Sequence, residues 1–172
     1  MREITIVCPI FNEEENIEFF IKNFNEIFKN HPDYKFSILF ADNNSTDSSR
    51  EILKKICKER KEIKYIRYAK NNGVMKSLFN AIKHVDTDAC AVFDCDLQDD
   101  PKLLNEFIKN WELDIKIIYG KRVKREEIFF LGFFRNIFKK LSNYLRGYEI
   151  EIESGAWFLD KEVIQQIRND EY

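Results

Sequence analysis

No run of about 18 consecutive apolar residues occurs anywhere in the chain, so no segment of it is expected to cross a membrane. The start, Met1-Arg2-Glu3, leads directly into a β-like apolar run and does not read as a secretory signal. Cysteine is sparse: Cys8, Cys57, Cys90 and Cys95 have neither zinc-type spacing nor the density of a disulfide scaffold. Three of the four sit in apolar runs and are expected to be reduced, buried thiols. Histidine is limited to His31 and His84, both near predicted helix ends, and no Ser/His/Asp arrangement is evident. No G-x-G-x-x-G follows the first strand and no G-x-x-x-x-G-K-[ST] occurs, so neither a dinucleotide fingerprint nor a P-loop is supported. Charge of one sign is also missing, since 28 Lys+Arg stand against 30 Asp+Glu for a formal net charge of −2. No global field then recruits nucleic acid, and none is expected as a partner. These absences leave a cytosol-facing soluble domain.

What is present is a folded core. The 172 residues are 44% hydrophobic, with 16 Phe and seven Tyr, which excludes disorder and fits one domain better than two. Apolar β-branched runs alternate with helical spacing. Ile4 to Cys8 reads as a strand stopped by Pro9, and Ile17, Phe20, Ile21, Phe24, Ile27 and Phe28 mark an amphipathic helix. Phe36 to Ala41 is a second strand. Asp47 and Ser48 then cap a helix, with Glu51 completing a capping box three residues after Ser48. Tyr65 to Tyr68, Ala89 to Phe93 and Ile115 to Tyr119 are further strands, with helices at Val74 to Val85 and after Asp100-Pro101. The alternation predicts an α/β fold with a mainly parallel sheet and helices on both faces, without repeats or linkers, and less regular after about residue 120.

In open α/β sheets ligands bind beyond the carboxyl ends of the strands. Here those ends carry Pro9 to Glu14, Asp42 to Asp47, Asn71-Asn72-Gly73 and Asp94 to Asp100. Such residues also serve ordinary turns and helix caps, but four clusters along one sheet edge exceed that need. The fourth is the most specific. Asp94 and Asp96, two apart in an extended chain, would point to one side, where two carboxylates repel unless a cation lies between them. Oxygen ligands suit Mg²⁺ or Mn²⁺, ions that also bridge phosphates, and Gln98 can add a neutral oxygen. A phosphatase with an Asp nucleophile would usually carry its D-x-D on the first strand, not after the fourth.

Taken together, Pro9-Ile-Phe-Asn12-Glu13-Glu14, Asp42-Asn-Asn-Ser45-Thr46-Asp47, Asn72-Gly73 and Asp94-Cys-Asp96-Leu-Gln98-Asp-Asp resemble the family 2 glycosyltransferases of the GT-A fold. The Asp-x-Asp-Leu-Gln run is similar to the polyprenyl-phosphate branch that includes the dolichyl-phosphate mannose synthases. The likeness covers about residues 3–125 well and weakens to about 168. It implies one catalytic domain over 1–172, with a nucleotide-sugar part over about 1–120 and an acceptor-side part over about 121–172. It implies a UDP- or GDP-linked sugar donor, with Pro9, Phe11, Glu13 and Asp42 flanking base and ribose. Asn72 and Gly73 would sit near the nucleotide, Asp94 near ribose and metal, and Asp96 with Gln98 on the metal. The reaction implied is an inverting displacement in which a divalent ion neutralises the departing nucleoside diphosphate. One departure is Asp42-Asn43-Asn44-Ser45 in place of the usual Asp-Asp-Gly-Ser, a turn that Asn tolerates because it accepts a left-handed backbone.

The acceptor side reads less sharply. Glu153, or Glu151, stands where the resemblance expects an acidic residue, and would be a general base for a sugar-hydroxyl acceptor. A lipid phosphate, largely ionised at pH 7, needs positive charge instead. Arg122, Arg125 and Arg135 offer it. Residues 128–145 form a basic, aromatic-rich amphipathic pattern that reads equally as a membrane-surface helix or as a helix packed on the sheet. The chain stops at Tyr172 where many members of the branch continue into transmembrane helices, as a short soluble version or as a fragment. The expectation is a transferase to a polyprenyl phosphate, peripheral at the inner membrane face. Polysaccharide extension on a sugar hydroxyl and a non-catalytic nucleotide-sugar-binding module are the alternatives.

Overall fold

Fully apolar β-branched runs form strands buried on both faces, and the first of them is the spine of the sheet. In the computed structural model, which describes residues 1–120 and 155–169, β1 (Arg2–Ile10) is followed by α1 (Ile17–Phe28), β2 (Tyr34–Asp42), α2 (Ser49–Glu59), β3 (Ile63–Arg67) and α3 (Val74–Lys83). Then come β4 (Ala89–Val92), α4 (Leu103–Glu112), β5 (Ile117–Tyr119), β6 (Trp157–Asp160) and α5 (Lys161–Asn169). Among the described residues the strands form one six-stranded sheet in the order β3-β2-β1-β4-β6-β5. β1 pairs in parallel with β2 and β4, and β2 with β3. β6 runs antiparallel to both β4 and β5. The expected mainly parallel sheet is therefore present.

Alternate residues of β1 divide the core in two. Ile4, Ile6, Cys8 and Ile10 pack with α1, α2 and α4 through Phe20, Phe24, Leu53, Leu104 and Phe107. Val7 faces the other way, toward Leu78, Ala81 and Ile82 of α3 and Ile164 of α5. Helices thus cover both faces. The helical spacing read in α1 holds, since Ile17, Phe20, Ile21, Phe24 and Ile27 are all buried. Removing a side chain such as Phe24 from this layer costs about 3–5 kcal/mol.

Pro9 does not stop β1, as the sequence suggested. The strand continues to Ile10, with Pro9 in register with Ala41 of β2. Phe93 N–H donates to Val7 C=O (3.1 Å), so odd-numbered residues of β1 aim their backbone polar groups at β4. The missing N–H of Pro9 falls on that side, where β4 has already ended at Val92. The proline ends one ladder and not the strand.

The capping box also differs. Ser48 makes no side-chain cap bond to α2. Its N–H donates to Glu14 Oε2 (2.8 Å), while Asp47 Oδ1 accepts the Ser49 N–H (3.0 Å). The acidic partner comes from another loop because the two loops meet in space. Asp100 Oδ1 accepts the Lys102 N–H (2.9 Å) ahead of α4, but the helix opens at Leu103 with Lys102 at its N-cap and no side-chain cap bond, two residues later than the Asp100-Pro101 start suggested. β5 begins two residues later than read, because Asp114 adopts φ 69° and the Ile115 N–H closes on Asn110 C=O (3.3 Å) before the chain can extend.

β6 and α5 carry the chain back into the sheet. Asp160 anchors them, accepting from Trp111 Nε1 (2.7 Å) and from the Glu162 N–H (2.9 Å). Burial works against its charge, but these bonds and nearby Lys116 hold its carboxyl below the usual range.

Candidate active site

The loop after β1 is built against the loop after β2. Asn12 takes a left-handed backbone, φ 58°. Its N–H donates to Ser45 Oγ (3.0 Å), and its Oδ1 accepts the Thr46 N–H (2.8 Å) and hydroxyl (3.3 Å). The next N–H groups follow suit, Glu13 to Ser49 Oγ (3.0 Å) and Glu14 to Asp47 Oδ2 (3.1 Å). The carboxylate of Glu13 holds Asn16 Nδ2 (2.7 Å), and Phe11 stands 44% exposed at the edge. Burial opposes the charge on Asp47, while the Ser49 hydroxyl and the N–H groups of Ser49 and Glu14 keep its carboxyl below the usual range.

Asp42 ends β2 with its side chain 0% exposed. Its Oδ1 accepts the Ser45 N–H (2.7 Å), and its Oδ2, which takes no hydrogen bond, lies 3.4 Å from Arg67 Nε. Arg67 also donates to Asn44 Oδ1 (2.9 Å) and Ser45 C=O (3.2 Å), so one guanidinium closes the turn from β3. Asn44 has φ 66°, the left-handed geometry that its Asn permits where a Gly was usual. Asn43 is buried. Its Nδ2 donates to Asn71 Oδ1 (2.7 Å), and its Oδ1 accepts the Asn72 N–H (3.0 Å) and the Ser77 hydroxyl (2.7 Å). Both ends of this amide therefore tie the β2 loop to the turn that opens α3. Gly73, with φ 83°, completes the turn, and no atom lies within 4 Å of where its Cβ would stand.

After β4 the chain turns at once, Leu97 N–H closing on Asp94 C=O (3.2 Å) with Leu97 at φ 53°. Asp94 and Asp96 thus lie on a turn and not on an extended strand as read. Burial still alternates: Asp94 is half-buried, Cys95 buried and Asp96 exposed. Asp96 Oδ1 accepts the Gln98 N–H (3.2 Å) and Oδ2 its side-chain amide (2.6 Å). Beneath them, burial pushes the Cys8 thiol well up, helped by the Cys95 thiol beside it and by the carboxylates of Asp94 and Glu13. Cys90 is raised to about 12 by burial. All four cysteines are free, and Cys8, Cys90 and Cys95 are buried, as expected of structural thiols.

The donor atoms here fit a hard divalent cation. Asp94 and Asp96 offer carboxylates and Gln98 an amide, all oxygen. Among the described residues no group of three or more His, Cys, Asp or Glu stands placed for a metal. Two carboxylates suit Mg²⁺, and by the same oxygen preference Mn²⁺, when phosphate oxygens and water complete the shell.

The fold brings Pro9, Phe11, Glu13, Asp42, Asn72, Gly73, Asp94, Asp96 and Gln98 to the carboxyl-end edge of the parallel strands. Glu151, Glu153, Arg122, Arg125, Arg135 and the 128–145 pattern lie outside the described residues. Arg67, Ser77 and the hub role of Asn43 were missed by sequence reading. The available signal for Arg67 was a lone cation at the end of the strand beside Asp42.

Residues 5–168 match the model of glycosyl transferase family 2, and the chain belongs to that family. It is 28% identical over 170 residues to a protein named bactoprenol glucosyl transferase of Shigella phage SfX, covering 96% of this chain and 55% of that one. The chain spans about half the length of the curated relatives it matches. Its fold is similar to that of a Pyrobaculum calidifontis mannosyltransferase solved with GDP-Man and Mn²⁺ (TM-score 0.62, 16% identity, 95% of this chain and 46% of that one). A Mycobacterium tuberculosis glucosyl-3-phosphoglycerate synthase, solved with Mn²⁺, UDP and phosphoglyceric acid, is also similar (TM-score 0.64, 17% identity, 94% and 57%). The fold is the GT-A glycosyltransferase fold.

Proposed function

We propose that this chain is the catalytic domain of a metal-dependent, inverting glycosyltransferase that moves a sugar from a nucleotide diphosphate to a polyprenyl phosphate at the inner face of a membrane. Residues of about 1–120 bind the donor and about 121–172 serve the acceptor, in the manner of the polyprenyl-phosphate branch that includes the dolichyl-phosphate mannose synthases. The observation that carries the donor half is the exposed Asp96, held only two residues from Gln98 on the turn after β4, at the edge where the left-handed turns at Asn12, Asn44 and Gly73 also lie. The relative named for bactoprenol supports the lipid acceptor.

In this reading Phe11 offers an exposed ring to the base, Asn72 and Gly73 let the nucleotide approach α3, and Asp94, Asp96 and Gln98 hold Mg²⁺ or Mn²⁺. Bound there, such a cation would supply positive charge to offset that of the departing nucleoside diphosphate. Pro9 and Glu13 frame the base from β1. Asp42 acts from behind Arg67, whose guanidinium must yield before a base can share Oδ2. Arg122, Arg125 and Arg135 hold the acceptor phosphate, while Glu153 or Glu151 would be needed as a base only for a hydroxyl acceptor.

Calorimetry with UDP and GDP, with and without Mn²⁺, tests the donor site. Metal-dependent binding of one nucleotide, lost in Asp96→Asn, is the expected result and names the donor class. No binding of either by folded protein with metal present would overturn the transferase reading. Glu153→Gln then separates acceptors: transfer to a lipid phosphate survives it, and transfer to a sugar hydroxyl does not.

A further inference from the structure

Between Glu62 and Asp86 the chain has no acidic residue. At the overall density of 30 acidic residues in 172, a stretch of this length would carry about four. It carries instead Lys64, Arg67, Lys70, Lys76 and Lys83, in a molecule of net charge −2. The stretch comprises β3, the turn at Asn71–Gly73 and all of α3.

α3 buries Ser77, Leu78, Ala81 and Ile82 against the sheet. Its other side presents Met75, Lys76, Phe79 and Asn80, with Val74 exposed at the tip. Val74 is 57%, Met75 43% and Phe79 39% exposed. Phe79 meets Trp157 of β6 (centroids 6.4 Å apart), which widens the apolar strip. Single exposed apolar residues are ordinary. Three on one helix, in a run with no acidic side chain, are a different pattern.

At the opposite edge of the sheet the charges balance, where Lys35, Lys61 and Lys64 line a cavity of about 350 Å³ together with Glu3, Glu62 and Asp86. Its acidic residues are already engaged, Glu3 with Lys35, Glu62 with Arg60 and Asp86 with Arg168. Lys64, Lys70 and Lys76 have no ion pair among the described residues.

We propose that the outer face of α3 docks on an anionic lipid surface, with Met75 and Phe79 entering the headgroup boundary, Val74 exposed at the tip beside them, and Lys70 and Lys76 facing lipid phosphates. A helix that joins apolar and basic side chains without acidic ones binds such a surface by burial and charge together. A second copy fits poorly, because a two-fold contact would set Lys76 and Lys70 of one copy against those of the other. The surface is distinct from the 128–145 pattern, and it adds to the proposed function a face that orients the site edge, where α3 begins, toward the bilayer.

Flotation of the full chain with phosphatidylcholine vesicles, with and without phosphatidylglycerol, tests it. The chain is expected to bind the anionic vesicles and to lose binding as salt rises. At about fivefold per lysine, Lys70→Gln with Lys76→Gln lowers the partition coefficient roughly 25-fold. Met75→Ser with Phe79→Ser lowers it about tenfold. The control pair Lys54→Gln and Lys55→Gln, on the exposed side of α2, leaves it within about twofold. Equal losses in the two lysine pairs, no loss in the α3 pair, or equal binding to neutral and anionic vesicles overturns the proposal. So does a dimer that Met75→Ser with Phe79→Ser dissolves, which would assign the face to a second copy. Nucleotide calorimetry on the same samples keeps the two readings apart. Nucleotide binding without vesicle binding removes this face alone, and vesicle binding without nucleotide binding removes the donor site alone.

Discussion

Six hydrogen bonds join Asn12, Glu13 and Glu14 after β1 to Ser45, Thr46, Asp47, Ser48 and Ser49 after β2. Asp96, on the turn after β4, takes its two side-chain hydrogen bonds from Gln98, two residues along. The same kinds of residue are used in opposite ways. Between the first two loops, side-chain oxygens satisfy backbone N–H groups across more than 30 residues of sequence, and losing one strands a donor. At Asp96 the partner is local and the carboxylate exposed, so exchanging Gln98 for a cation costs little. The molecule thus holds a stiff frame on one side of the site edge and a replaceable contact on the other.

The largest effect that sharpens this contrast is at Asp96. Asp96→Asn should weaken metal-dependent nucleotide binding by about 100-fold while leaving the unfolding free energy from urea titration within about 0.5 kcal/mol of wild type. Asn12→Ala should do the reverse. It removes the acceptor for two donors of Thr46 and puts a Cβ residue without a compensating side chain at φ 58°, and it should cost about 2–3 kcal/mol in urea unfolding. Asn12→Asp, which keeps an acceptor oxygen, should restore most of that. A large stability loss in Asp96→Asn with none in Asn12→Ala would break the comparison.

Asn43→Asp should rank next, at about 1–3 kcal/mol by chemical denaturation. An ionised Asp has no donor for Asn71 Oδ1, and Asn71 cannot turn its amide without releasing the Gly73 N–H (2.9 Å). Smaller still is the acid response of the frame. Asp47 has its carboxyl lowered in the folded state, so its contribution is complete above the unfolded value of about 3.9 and fades as pH falls through the folded one. Melting temperature should decline below about pH 4, and Asp47→Asn should flatten that part of the curve. The smallest effect belongs to Ser48→Ala, which should change stability by no more than about 0.5 kcal/mol, because its hydroxyl caps nothing. A loss of about 1 kcal/mol, usual for an N-cap, would show that the capping box forms after all.

The strands, helices and polar strand ends were legible because each is a local pattern. The helical spacing of Ile17 to Ile27 and the apolar run Ala89 to Val92 need only neighbours within a turn or two. The left-handed Asn44 was legible for the same reason, since the conformation is a property of one residue. The chemistry of Asp94, Asp96 and Gln98 could likewise be read from residue type, although their turn could not.

Tertiary structure decided the rest. Whether Pro9 ends a strand depended on where β4, more than 80 residues away, stops pairing. Glu51 lost its expected place in the capping box to Glu14, which accepts the Ser48 N–H, because two loops meet across the sheet edge. Asp42 is sealed under Arg67, and Asn43 became a hub, through partners 25 to 34 residues distant. β6 entered between β4 and β5 because Phe158 and Leu159 fill opposite faces of a sheet already built. The sequence by itself determined the elements and the kind of chemistry at their ends, because backbone preference and side-chain type are local. Which of those side chains stay open to a ligand, and which are consumed in holding the loops, is set by contacts between distant segments.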